Sequence, residues 1–182
     1  MNTQRNAELR SRRRRIRLAT AADIPAMLGL ERQSAAAAHW TELQYQVALR
    51  TDESGSGRLV LVVDQDAEGM IPSEQKGTTE LLAFLVAHYL GPEWELENIV
   101  VASSVRRKGL GARLVDELLA RARKAGSEAV FLEVRESNQA ARMLYEKLGF
   151  EAAGRRKRYY VNPQEDAILY RCGFQASLRD GL

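Results

Sequence analysis

The hydrophobic pattern of the chain switches between a continuous or alternating form and a helical period, and these switches mark the predicted elements. Continuous apolar runs such as RLVLVV and LLAFLVAHYL are typical of buried strands. The predicted strands are 15–18, 58–63, 81–90, 94–102, 129–136, 150–161 and 166–172. The predicted helices begin at Thr20 and Thr41 and cover 109–125 and 137–149. This order predicts an α+β domain with one sheet and helices on both of its faces.

The strand 129–136 and the helix before it have the clearest patterns. The predicted apolar face of the helix consists of Leu110, Leu114, Leu118, Ala122 and Ala125. Along the strand, successive side chains point to opposite faces, so Glu133 lies on the face of Phe131 and Arg135. By the same rule, Glu95 and Glu97 share a face with Ile99 in the strand 94–102.

Composition excludes several classes of protein. The single cysteine, Cys172, rules out an internal disulfide, and the two histidines, His39 and His88, are far apart in a chain without a Cys/His cluster. The longest apolar run, 81–90, is too short to span a bilayer. We therefore expect a cytoplasmic protein with no metal and no membrane contact.

Charge is distributed unevenly along the chain. Residues 1–15 contain six arginines and one glutamate, which gives this arm +5, so that residues 16–182 carry −2 of the total of +3. The arm is predicted to be disordered and solvated, with RNA or ribosome contact as the alternative. The stretch SRRRRIRL resembles a twin-arginine export signal, but Asp23, Pro25 and Glu31 follow where such a signal is apolar. The predicted domain is 16–175, followed by a tail, 176–182.

The stretch VRRKGLGARL joins a strand to a helix and has the character of an anion site. Its pattern is R-x-x-G-x-G at Arg106, Gly109 and Gly111, and Leu114 stands where both a P-loop and a dinucleotide fingerprint require other residues. The glycines let the backbone approach a diphosphate closely, and the helix dipole favours an anion. An ordinary helix start with glycine and arginine is the alternative.

Residues 95–170 together resemble a known family. The pieces NIVV, RRKGLG, LEVRESN, ARMLYEKLGF and GRRKRYYVNPQEDAIL are similar to the acetyl-CoA binding core of the GNAT acyltransferases. Within the GNAT acyltransferases, the chain resembles most the bacterial ribosomal-protein-alanine N-acetyltransferases, which acetylate a protein's N-terminal amine. The resemblance implies a three-layer α/β/α fold whose mixed, splayed sheet has about seven strands.

The resemblance also implies a set of site residues. The diphosphate of acetyl-CoA would lie on the backbone N–H groups of 107–112, and its pantetheine arm would pair with the strand at 99–101. The implied cofactor-binding residues are Ile99, Val100, Val101, Arg106, Arg107, Lys108, Gly109, Leu110, Gly111, Ala112, Asn138 and Tyr145. Glu133 would act as the general base through water, and Tyr145 as the general acid that protonates the departing thiolate.

Other interpretations of these residues remain open on the sequence alone. Glu133 fits equally a solvent-facing carboxylate paired with a cation, and Tyr145 fits a core tyrosine. Glu95 or Glu97 is an alternative base. Tyr159 and Tyr160 are predicted to flank an entering peptide, although a charged exposed strand is the alternative.

The acceptor is the least determined part of the prediction. An α-amino group has a pKa of about 8 and lysine one of about 10.4, so a modest base suits an N-terminal amine better. The alternatives are a lysine side chain or a small-molecule amine, and a non-catalytic module that binds CoA or RNA.

The turn before the anion loop, ASSV, lacks the proline that is usual in the family, and the connector 64–80 is an addition to its core.

Overall fold

The computed structural model describes residues 14–34, 37–50, 57–66 and 79–174. The seven strands are β1 (Arg14–Leu18), β2 (Arg58–Asp66), β3 (Thr79–Tyr89), β4 (Glu93–Val101), β5 (Ala129–Arg135), β6 (Glu151–Val161) and β7 (Gln164–Gly173). The four α-helices are α1 (Ile24–Arg32), α2 (Glu42–Ala48), α3 (Leu110–Lys124) and α4 (Gln139–Lys147). Residues 1–13 of the arm, 67–78 of the connector and the tail 176–182 lie outside the described residues. The first strand begins at Arg14, one residue earlier than predicted.

The strands form a single sheet in the order β1-β2-β3-β4-β5-β7-β6. Every neighbouring pair is antiparallel except β4 and β5, which are parallel. Leucines of α3 and Tyr145 of α4 pack into the core on one face, and Met27 of α1 and Tyr45 of α2 pack into a second core on the other. The predicted three-layer α/β/α arrangement with a mixed sheet is therefore confirmed.

The parallel strands β4 and β5 part halfway along their length. Pairing between them covers only Glu93–Leu96 of β4 and Ala129–Leu132 of β5. Further along, β4 continues its ladder with β3, and β5 continues its ladder with β7. Each strand is thus held from its outer side, and a cleft opens between their second halves.

A β-bulge at Glu97 corrects one prediction about the faces of β4. Ala87 of β3 pairs with Leu96 and Val86 pairs with Asn98, so that Glu97 is the extra residue. A bulge of this kind shifts the alternation by one position. Ile99 accordingly packs against the α3–α4 core with Leu96, while Asn98 is turned toward α1 and α2. The prediction that Ile99 shares a face with Glu95 is wrong, because simple alternation does not survive the bulge.

Asn98 anchors the second layer of helices to the sheet through a buried polar cluster. Its side-chain amide donates to Glu31 of α1 at 2.6 Å and to the hydroxyl of Tyr45 of α2 at 3.3 Å. Glu31 is only 2% exposed, and its Oε2 has no hydrogen-bond partner in the described part of the chain. Burial, followed by the charge of Glu31, raises the pKa of Tyr45. The bulge therefore sets the position of α1 and α2 as well as the direction of β4.

We expect Asn98→Ala to lower the free energy of unfolding by about 3 kcal/mol, because it leaves a buried carboxyl group without its donor. Gln46→Ala is the matched control, since Gln46 donates to Glu42 in an exposed pair. That change is expected to stay within about 0.5 kcal/mol. Urea unfolding monitored by circular dichroism measures both. Equal losses in the two variants would show that the buried cluster does not hold the helices.

Candidate active site

The parting of β4 and β5 opens a cavity of about 500 Å³. Its walls come from the two strands, the segment before α2, the start of α4 and the turn between β6 and β7. The structure brings together six residues that the sequence predicted for the site: Ile99, Glu133, Asn138, Tyr145, Tyr159 and Tyr160. Glu95 and Glu97, the alternative bases, line the same cavity. The predicted catalytic and acceptor residues therefore face one space.

Three carboxylates line the cleft, Glu95 and Glu97 from β4 and Glu133 from β5. Both oxygens of Glu97 accept from the guanidinium of Arg58, at 2.7 and 2.9 Å. Burial raises the pKa of Glu95, and the negative charges of Glu97 and Glu133 raise it further. Negative charges held this close favour a positively charged group in the cleft.

Glu133 is held by two residues of β6. Its Oε1 lies 2.8 Å from Nε of Arg156, and its side chain is 10% exposed. Hydrogen bonding to Glu133 raises the pKa of the Tyr159 hydroxyl to about 12, and burial adds to the rise. The carboxylate is thus neither free in solvent nor part of the core, but paired with a cation at the mouth of the cleft.

Tyr145 is buried in α4 yet borders the cavity. It is 4% exposed, and burial raises the pKa of its hydroxyl. Its ring packs near Phe150 and Tyr170, with ring centroids 5.7 and 6.3 Å away. It is also one of the residues that line the cavity, whereas a tyrosine that only fills a core borders no open space. These features fit a hydroxyl that serves the cleft better than one that serves the core.

The start of α4 fixes Asn138. Its side-chain oxygen accepts from the backbone N–H of Ala141 at 3.2 Å, which makes it the N-cap of the helix. The cap uses the side-chain oxygen, and Asn138 lines the cavity.

Residues 99–101 of β4 are the ones predicted to pair with the pantetheine arm. Two of these three direct their main-chain groups into the opening. Ala102 donates to Leu82 of β3 at 2.8 Å, and alternate residues of an antiparallel strand bond to the same neighbour. Val100 therefore bonds toward β3, and its side chain is in the core. Ile99 and Val101 point their main-chain groups to the open side, where Arg106 already donates to the carbonyl of Val101 at 3.1 Å.

The anion loop lies beside this edge and has the backbone geometry that its glycines allow. Gly109 has φ +80° and precedes α3 directly. A Cβ at Gly111 would stand 3.4 Å from Leu144 and 3.7 Å from Val101, so the first turn of α3 packs closely against α4 and β4. Within the described chain, the N–H groups of residues 107–112 donate to no backbone carbonyl. They remain available for a bound anion.

The edge hairpin of β6 and β7 brings Tyr159 and Tyr160 to the cleft. Arg156 pairs with Ala167 and Tyr160 with Glu165, so residues 157–159 of β6 stand opposite the single residue Asp166. This bulge lets two consecutive tyrosines line one cavity, which a regular strand would forbid.

Arg135 holds the tip of this hairpin, a role that the sequence pattern did not predict. Its guanidinium donates to the carbonyls of Asn162 and Pro163 at 3.0 and 3.2 Å and lies 4.1 Å from the ring centroid of Tyr160. Arg58 and Arg156 were missed as well. The stretch RRKRYY shows that positively charged residues are present. It does not show the β-bulge that determines which of them face the cleft.

Two features are absent from the described residues. No group of three or more His, Cys, Asp or Glu side chains there is placed to hold a metal ion. In the same part of the chain, none of the helices has the length and apolar character needed to cross a bilayer.

Comparison with known families and proteins agrees with this geometry. The model of the acetyltransferase (GNAT) family matches residues 30–150. The ribosomal protein bS18-alanine N-acetyltransferase of Escherichia coli K12 is 34% identical over 149 residues, which cover 81% of this chain and 88% of that protein. The N-alpha-acetyltransferase RimI of Mycobacterium tuberculosis is 42% identical over 79 residues, or 43% of this chain and 48% of that protein.

A solved structure extends the similarity to the fold. The crystal structure of the ribosomal-protein-S18-alanine N-acetyltransferase from Escherichia coli superposes with a TM-score of 0.72 at 28% identity. The superposition covers 93% of this chain and 99% of that one.

Arg135→Met should loosen the hairpin tip, since it removes both donors to the turn carbonyls and the stacking on Tyr160. We expect amide hydrogen exchange in residues 158–165 to accelerate about tenfold, as measured by mass spectrometry. Arg171→Met is the control, because Arg171 bonds Glu93 at the other end of β7. If both variants exchange alike at the tip, Arg135 does not position it.

Proposed function

The chain belongs to the GNAT acetyltransferase family and is an N-acetyltransferase, and we propose that it acetylates the N-terminal α-amine of a protein with acetyl-CoA as the donor. The observation that carries the proposal is the shared cleft, in which Glu133 and Tyr145 face the cavity between β4 and β5. Relatives over most of the chain are named for acetylation of a ribosomal protein alanine, and this favours a ribosomal protein as the acceptor.

The residues present suit acetyl-CoA. The unpaired N–H groups of residues 107–112 suit its diphosphate, and Arg106, Arg107 and Lys108 add positive charge. The main-chain groups of Ile99 and Val101 suit the amides of the pantetheine arm, which would add to the free edge of β4 as a further strand does. The side-chain NH₂ of Asn138 is a further donor.

Chemistry then divides between two side chains. Glu133 takes a proton from the acceptor ammonium, through water, so that the nitrogen lone pair can attack the thioester carbon. A backbone N–H near Val101 stabilises the oxyanion. The carbon–sulfur bond breaks as the new amide forms, and the Tyr145 hydroxyl gives its proton to the departing sulfur. The second proton that the nitrogen loses on becoming an amide then returns to the Tyr145 phenolate through water. Tyr159 and Tyr160 flank the acceptor chain.

The contacts of the three carboxylates favour Glu133 over Glu95 and Glu97 as the general base. Both oxygens of Glu97 are bound by Arg58. Glu95 is a true competitor, since its raised pKa is what a general base needs. Among the contacts of these three in the described chain, the direct ion pair with Arg156 and the hydrogen bond with Tyr159 both belong to Glu133.

A small cationic amine is the second candidate acceptor, because three carboxylates line the cleft. A lysine side chain is a further candidate. The pKa of an α-amine is about 2.4 units below that of lysine, so removing its proton costs roughly 3.3 kcal/mol less.

The proposal predicts thiol release from acetyl-CoA with peptides that carry a free N-terminal alanine, serine or methionine. N-blocked peptides containing lysine, and polyamines, should give little or none. Glu133→Gln and Tyr145→Phe are each expected to lower kcat by about 10² or more. Tyr170→Phe is the control, since Tyr170 is a buried tyrosine whose hydroxyl bonds Glu146 outside the cleft.

Other results redirect the proposal. Turnover with polyamines or blocked peptides would move the enzyme to the second candidate. A larger loss in Glu95→Gln than in Glu133→Gln would move the base to β4.

The proposed diphosphate site predicts a difference between two glycines that flank α3. Gly109 and Gly126 have φ +80° and +74°, so alanine at either position should cost about 1 kcal/mol of stability. Only Gly109→Ala, at the anion loop, should weaken acetyl-CoA binding, by about tenfold in a calorimetric titration. Equal affinities in the two variants would contradict the placement of the diphosphate.

A further inference from the structure

Arg156 of the edge hairpin makes an ion pair with Glu133, the proposed base, in the cleft. It extends from β6, across the intervening strand β7, to Glu133 on β5. The guanidinium also lies 5.6 Å from the ring centroid of Tyr159, which itself contacts Glu133. A cation thus occupies the place where the proposed mechanism needs the acceptor's amine.

The two partners differ in how firmly they are held. The side chain of Glu133 is 10% exposed and sits on a central strand, whereas that of Arg156 is 60% exposed and sits on the edge strand. Because the guanidinium is largely in solvent, water and salt screen its side of the pair. Arg156 can therefore swing into solvent without disturbing the core.

The charge balance of the cleft explains why a cation is needed there. Arg58 neutralises Glu97, and Arg156 neutralises Glu133, while burial and its two neighbours raise the pKa of Glu95. Removing Arg156 without replacement would leave uncompensated negative charge at the mouth of the cleft. An ammonium group supplies the same single charge in a smaller volume.

The neighbouring Arg155 of β6 does not have this role. Arg155 binds Glu136 and Asp166, each at 2.7 Å. Neither acceptor lines the cavity. Arg155 is therefore a matched cation on the same strand that does not compete for the cleft.

We propose that Arg156 is a displaceable counterion that holds the amine subsite on Glu133, and that the acceptor's N-terminal ammonium enters by replacing it. This inference rests on the proposed function, because it assigns the acceptor subsite of that reaction. The exchange has a chemical consequence. Once the ammonium has passed its proton to Glu133 through water, no guanidinium remains to stabilise the carboxylate, so the proton is retained while the neutral amine attacks.

The test is a calorimetric titration of the enzyme–CoA complex, in which no acetyl group is present to be transferred. The titrant is a hexapeptide with a free N-terminal alanine, compared with its N-acetylated form. We expect Arg156→Gln to bind the free peptide about two- to fivefold more tightly than the wild type, because the internal competitor is gone. Arg155→Gln should bind as the wild type does, and the acetylated peptide should show no gain.

A second comparison shows whether the gain passes through Glu133. In a Glu133→Gln background, the Arg156→Gln change should no longer tighten binding, because the carboxylate for which the two cations compete is absent. Thermal unfolding of each variant verifies that the fold is intact. With acetyl-CoA, KM for the peptide should fall in Arg156→Gln by the same factor, and KM for acetyl-CoA should not change.

Weaker or unchanged binding of the free peptide by Arg156→Gln would overturn the inference, as Arg156 would then contribute to acceptor binding. An equal gain with the acetylated peptide, or a gain that persists without Glu133, would also overturn it. Failure of the proposed function is a separate result, namely a wild type that acetylates no free peptide N-terminus. In that case the same titration with butylamine as the titrant tests whether Arg156 competes with an amine for Glu133. Binding of a simple amine requires no turnover.

Discussion

The site depends on one constraint, which is that β4 and β5 stop pairing after Leu96 and Leu132. Two parallel strands that continued side by side would bond to each other and bury their facing side chains. Here β3 and β7 hold the two strands from outside, and the gap leaves main-chain groups of Ile99 and Val101 unpaired by the sheet. A free edge inside a sheet is normally a liability, and a substrate that adds as a strand removes it.

The bulge at Glu97 is the local cause that links this gap to the rest of the molecule. By shifting the alternation, it turns Asn98 toward Glu31 and Tyr45, which fixes α1 and α2, and it turns Ile99 toward the α3–α4 core. The segment before α2 contributes a wall of the cavity. Because the bulge at Glu97 fixes α2, it also helps to shape the acceptor side of the cleft.

Electrostatics sets the character of the cleft more than shape does. Three carboxylates line the cleft, two from β4 and one from β5, and the chain provides guanidinium groups for two of them, from Arg58 on β2 and Arg156 on β6. Such a cleft prefers a cationic acceptor. Similarity over most of the chain to enzymes named for acetylating a ribosomal protein alanine is consistent with that preference.

The sequence by itself determined the element order, through local periodicity, and the family, through contiguous motifs. The resemblance carried by those motifs is also the basis for proposing Glu133, Asn138 and Tyr145 as site residues. Only the tertiary structure decided which face Ile99 takes, which cation meets Glu133, and how Tyr159 and Tyr160 come to line one cavity. The physical reason is the same in each case. A bulge adds residues to one strand relative to its partner, and that count is a property of two paired strands, which neither strand's own sequence contains.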